Sequence, residues 1–98
     1  RVLYGRVLAS FVMETRQMLD ELKHAVRIRD NHRAAELLHR CKGSCGAVGA
    51  AKAHKLCAEL ERQLKTNKDG AHLPDPDLVE CLYRELEQAL SEASRYTA

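Results

Sequence analysis

The sequence predicts an all-α protein, an antiparallel up-down-up-down four-helix bundle that takes in residues 1–98 as one domain. Three observations carry that expectation. Apolar residues recur at steps of three and four through four separate stretches, the repeat of a helix with one buried face. No stretch alternates apolar and polar residues as a half-buried strand does. The composition is 45% hydrophobic but only 4% aromatic, with one Phe and no Trp, which suits helices packed through Leu, Ala, Val, Met and Cys. A chain of 98 residues is long enough for one domain and too short for two, and at this size about 60% or more of the unfolded surface can be buried.

The first segment, about Val2 to Ile28, contains no Pro and only Gly5. Leu8, Phe11, Val12, Met18, Leu19, Leu22, Ala25 and Val26 form its stripe, with Thr15 filling a gap. Arg29-Asp30-Asn31 then reads as a turn and a cap, because Asp30 or Asn31 can accept from the amides of the next turn. The second helix starts near His32 and carries Ala34, Leu38, Cys41, Cys45 and Val48 inward. Gly49 breaks it, although the glycines at 43, 46 and 49 also admit a helix that stops early at Gly43. The third runs from about Ala50 to Lys65, with Ala53, Leu56, Cys57, Leu60 and Leu64 inward. Thr66 to Leu73 contains Asn67-Lys68-Asp69-Gly70 and reads as an exposed loop. Asp75 is a good cap for the fourth helix, Pro76 fits its first position, and Asp77 favours the positive end of the dipole. Its stripe is Leu78, Cys81 or Leu82, Leu86, Ala89 or Leu90, and Ala93. Four such helices on short connections pack most simply as a bundle.

Composition also narrows the function. The formal net charge is only +2 and charged residues make up 31%, with acids and bases interleaved, as in Glu59 to Arg62 and Arg84 to Glu87. No basic stripe emerges, so nucleic acid is not an expected partner. The longest apolar stretch, Val7 to Met13, falls far short of the roughly 20 residues that cross a bilayer, and no direct membrane contact is expected. Arg1 and Arg6 faintly mimic a signal peptide, but no small-residue cleavage site follows. The first residue is not Met, which leads us to expect a fragment of a longer protein. The four cysteines include no C-x-x-C pair, so they are expected as small reduced core residues in a cytoplasm, with no metal site.

The second helix carries the chemistry. At 100° per residue its inward stripe centres beside Leu38, and His39 then points about 145° away, toward solvent. Ala35, Gly43 and Gly46 share that outer surface, and Lys42 flanks it. Each Gly inside a helix is about 1 kcal/mol worse than Ala, so a surface cleared of side chains around one histidine calls for a reason beyond the fold. Close approach by another protein supplies one. An imidazole in water has an ordinary pKa of about 6.5 and is mostly neutral and nucleophilic near neutral pH. One ring nitrogen can attack phosphorus while the other keeps its proton, and Lys42 can offset the charge of a phosphoryl group. Lys42-Gly43-Ser44 follows a helix where a nucleotide-binding P-loop follows a strand, so that reading is discarded. His24, His32, His54 and His72 lack a Lys-Gly partner at three and four residues on and are expected as surface residues.

The run Leu38-His39-Arg40-Cys41-Lys42-Gly43-Ser44-Cys45-Gly46-Ala47-Val48-Gly49-Ala50 resembles the active-site helix of histidine phosphotransfer domains. That family's pattern is His-x-hydrophobic-Lys-Gly-Ser/Ala with a later Gly. Leu56-Cys57-Ala58-Glu59-Leu60-Glu61 resembles its third bundle helix, and Asp30 sits where a Gly-Asp turn is common. Cys41 departs from the pattern, since a large aliphatic residue is commoner there, and local repacking is expected. The resemblance implies that His39 is the phosphoacceptor, that Lys42 is its electrostatic helper, and that Gly43 gives clearance to a receiver domain. The family sometimes adds a polar side chain from the third helix. Glu59 and Glu61 stand there, but a carboxylate repels phosphate, and neither is assigned.

A relay function follows from the resemblance: a receiver phosphoaspartate donates to His39, which passes the group to a second receiver aspartate. The domain itself is expected to hold no cofactor, with Mg2+ in the receiver's acidic pocket, and neither to bind ATP nor to phosphorylate itself. It is expected to be monomeric and cytoplasmic, either free-standing or as the carboxy-terminal module of a hybrid sensor kinase. The rival readings are a phosphate-independent helical adaptor and a metal site built from His and Cys.

Overall fold

In a computed structural model, residues 2–66 and 74–97 are described, and they form four helices: α1 (Val2–Arg27), α2 (Asn31–Val48), α3 (Ala51–Thr66) and α4 (Pro76–Thr97). The expected loop at 67–73, with His72, lies outside the described residues. Among the described residues each helix packs on its two neighbours around a square: α1 on α2 and α4, and α3 on α2 and α4. The bundle measures 46 × 20 × 20 Å, about the length of its longest helix and two helices wide.

The turns obey their local chemistry. Asp30 caps α2, its Oδ1 accepting from the Arg33 amide at 3.1 Å. Before it, the Asp30 amide donates to the Ala25 carbonyl at 2.9 Å, a helix-ending loop that needs a left-handed residue between them. Arg29 takes that conformation, with φ 60°, at the place where a glycine would sit without strain. Gly49 does the same after α2, with φ 78°, and the Ala50 amide donates to the Cys45 carbonyl at 2.8 Å. So α2 runs through Gly43 and Gly46 and stops at Val48. Asp75 Oδ1 accepts from the Asp77 amide at 2.9 Å, the cap expected for α4. The α3 helix takes in Thr66, whose hydroxyl donates to the carbonyls of Arg62 and Gln63.

The core contains the expected stripes, with local differences. Leu8, Phe11, Val12, Met18, Leu19, Leu22 and Ala25 are buried from α1, and Thr15 is buried among them. Leu37, omitted from the expected stripe of α2, is fully buried beside Leu38, because α2 is gripped by both α1 and α3 and buries a wider arc. Val48, Leu56, Leu78 and Ala89 are only half-buried at the rim. On α4, Leu82, Leu86, Leu90 and Ala93 point inward and Cys81 is exposed, so Cys81 is not a core cysteine. Among the described residues no helix is long and apolar enough to cross a membrane.

Candidate functional site

The seam between α2 and α3 places the candidate residues. His39 projects from the middle of α2 with its side chain 66% exposed, as helical periodicity requires. Below it, Glu61 of α3 is buried on the edge of the inward stripe, between Leu60 and Leu64. Its carboxylate accepts from three cations or N–H groups: His39 Nδ1 at 3.0 Å and Lys65 Nζ at 2.8 Å on Oε2, and Lys42 Nζ at 2.9 Å on Oε1. Burial pushes the Glu61 pKa up, but the hydrogen bonds from Lys65, Lys42 and His39 outweigh it and hold the carboxyl at about 2.

That ionised carboxylate decides which tautomer the neutral histidine adopts. A carboxylate only accepts, so the ring nitrogen facing it must be the one that carries hydrogen. His39 in its neutral form is therefore the Nδ1–H tautomer, and its lone pair lies on Nε2. The pairing also answers the expected repulsion of phosphate. Glu61 is matched by Lys42 and Lys65, two cations against one anion, which leaves the group with one net positive charge while His39 is neutral. Glu61, left unassigned from sequence, is thus the residue that links the others. Its signal was present: a carboxylate four residues after Cys57, on the face that α3 turns toward α2.

The α3 helix also grips the backbone of α2. The half-buried His54 donates from Nδ1 to the Lys42 carbonyl at 2.9 Å. Its ring lies against Gly46, where an added Cβ would meet Nδ1 at 3.4 Å. His54 is therefore no free surface residue, and Gly46, expected to lie clear beside His39, seats the His54 ring. Lys42 is held at both ends, by His54 at its carbonyl and by Glu61 at its ammonium. Gly43 is different: nothing lies within 4 Å of a Cβ built there, and its surface is open. On the other side of His39, a groove of about 780 Å³ is lined by Ala35, Glu36, Arg40, Leu64 and Lys65 among others. Ala35, Gly43 and His39 thus share one accessible surface, with Glu61 at its floor.

Fold and site together define a helical bundle that presents one histidine, its proton held on Nδ1, over an open groove. The chain belongs to the Hpt domain family, whose model matches residues 6–96. Such domains take part in histidine-based phosphotransfer in two-component systems and interact with receiver domains. No individual curated protein and no solved structure matches the chain.

Proposed function

We propose that His39 is the phosphoacceptor of a multistep phosphorelay, loaded from one receiver phosphoaspartate and emptied onto another receiver aspartate. The observation that carries this reading is the hydrogen bond from His39 Nδ1 to the Glu61 carboxylate, on an imidazole that is otherwise exposed. His39 Nε2 attacks phosphorus, the N–P bond forms, the acyl O–P bond breaks, and the aspartate carboxylate leaves with its electron pair. The ring becomes cationic in that step, and Glu61 at 3.0 Å stabilises the charge, as an orienting carboxylate does for an imidazole general base. The Nδ1 proton stays in place throughout. Lys42 and Lys65 each retain N–H groups beyond those given to Glu61, and these serve the phosphoryl oxygens.

Ala35 and Gly43 leave room for the receiver, which brings Mg2+ in its own acidic pocket, and no cofactor of this domain enters the step. Kinase chemistry on ATP belongs elsewhere. The domain acts as a cytoplasmic monomer, free-standing or as a module of a hybrid sensor kinase. Incubation with a radiolabelled phosphoreceiver tests the reading. Wild-type chain should gain an acid-labile label that a His39→Gln variant does not gain. Equal labelling of both would sink the proposal.

A further inference from the structure

Three thiols converge in the core just beneath this site. Cys41 and Cys45 stand one turn apart on α2, and Cys57 meets them from α3, with exposures of 2%, 0% and 0%. The Cys41 and Cys45 sulfurs are 3.8 Å apart, and all three sulfurs lie within 4.8 Å of one another. Three sulfurs bound to one pyramidal centre at a bond of about 2.3 Å, with angles of about 95–100°, stand about 3.4 to 3.5 Å apart. The cluster is therefore a small side-chain adjustment from closing on a single ion. Cysteine does serve as a small apolar filler, yet the rest of this core is filled mainly with Leu and Ala, and three of the four cysteines meet at one point.

Donor number and charge select the ion. Among the described residues the cluster has three members and no fourth His, Asp or Glu. His54 has its Nδ1 committed to the Lys42 carbonyl. A structural zinc site wants four donors. Three thiolates around a monovalent or divalent ion would also leave net negative charge in an apolar core, where it is heavily penalised. A trivalent ion with three bonds leaves none. We propose that Cys41, Cys45 and Cys57 form a buried tris-thiolate site for a trivalent, three-coordinate thiophile, with arsenic(III) as the probe. Neutral arsenous acid enters, three S–H and three As–O bonds break, and three As–S bonds form with release of three waters. No element changes oxidation state, so no oxidant or reductant is needed.

Closure would also reach the surface site, because Cys41 and Cys45 flank Lys42 and Cys57 precedes Glu61 by one turn. Native mass spectrometry of the whole chain with arsenite is the test. The expected product carries one arsenic with loss of three hydrogens, and X-ray absorption should find three sulfur neighbours and no oxygen. A Cys81→Ser variant should bind as wild type does. Cys57→Ala, with its helicity checked by circular dichroism, should bind on the order of 100-fold more weakly, since each further thiol closes intramolecularly. Uptake through two thiols with a retained As–OH, uptake lost in Cys81→Ser, or tighter stoichiometric binding of Zn(II) or Cu(I) would each overturn the assignment. So would an absence of uptake by the wild-type chain.

Discussion

Replacing Glu61 by Gln tests the centre of the phosphotransfer reading. The substitution keeps side-chain volume and an acceptor oxygen at a buried position but removes the charge that three donors share. In the proposed attack on phosphorus the His39 ring becomes cationic, and a hydrogen bond to a charged partner is worth about 1.5–3 kcal/mol more than its absence. His39 is 66% exposed, and solvent screening places the loss at the lower end of that range. A loss of about 1.5–2 kcal/mol slows transfer about 10- to 30-fold. The Gln amide can also turn its NH2 toward the ring, which favours the Nε2–H tautomer and takes away the attacking lone pair, so the loss adds to that figure. Single-turnover transfer from a labelled phosphoreceiver, with circular dichroism as the folding control, measures the effect. Nitrogen-15 resonances of the wild-type imidazole report the tautomer directly. Transfer by Glu61→Gln within twofold of wild type, or a wild-type ring protonated at Nε2, would refute the reasoning.

Further outcomes follow from the same structure. The Glu61 carboxyl lies at about 2 in the fold against an ordinary 4.5; its folded pKa is depressed, so its stabilisation is full above pH 4.5 and is lost as pH falls toward 2. Urea midpoints should decline across that window, and less steeply in Glu61→Gln. Gly43→Ala should stabilise the domain by about 1 kcal/mol, since nothing stands near the new Cβ. Gly43→Leu should keep the fold, slow transfer from a receiver, and leave labelling by a small phosphodonor unchanged. Arg29→Gly relieves a left-handed residue at φ 60° and should raise stability by up to about 1 kcal/mol, the greater freedom of Gly in the unfolded chain offsetting part of the relief. Leu37→Ala, at a fully buried position, should cost about 2–5 kcal/mol by denaturant unfolding.

The bundle was legible in the sequence because its signals are local. Steps of three and four, Asp75-Pro76 at a helix start and Gly49 at a helix end act within one or two turns, and each acts alone. The errors fall where two helices decide together. Cys81 satisfies the spacing of α4 as well as Leu82 does, and only the position of α3 and α1 against α4 makes Leu82 the inward one. Leu37 was lost from the stripe because a single-face template is narrower than the arc a helix buries between two neighbours. The turn at Arg29 was placed, but its left-handed backbone was not, since Arg gives no sign of a conformation that Gly announces.

The candidate site divides in the same way. Outward His39 and the open surface at Gly43 are properties of α2 alone, and periodicity found them. Gly46 and His54 belong to one contact across the seam, so reading either helix singly leaves a bare glycine and a spare histidine. Glu61 is the instructive case. Taken by itself, a carboxylate beside a phosphoacceptor is a repulsive charge, and that argument is sound for an isolated acid. Here two lysines, one from each helix, reverse the local sign of charge, while the carboxylate's remaining influence falls on Nδ1, which in the proposed transfer is the ring nitrogen that does not meet phosphorus. The repulsion is thus spent against the lysines and the orientation is delivered to the histidine. No single-helix pattern contains that division of labour, because it depends on Lys42 of α2 and Lys65 of α3 reaching opposite oxygens of one buried group.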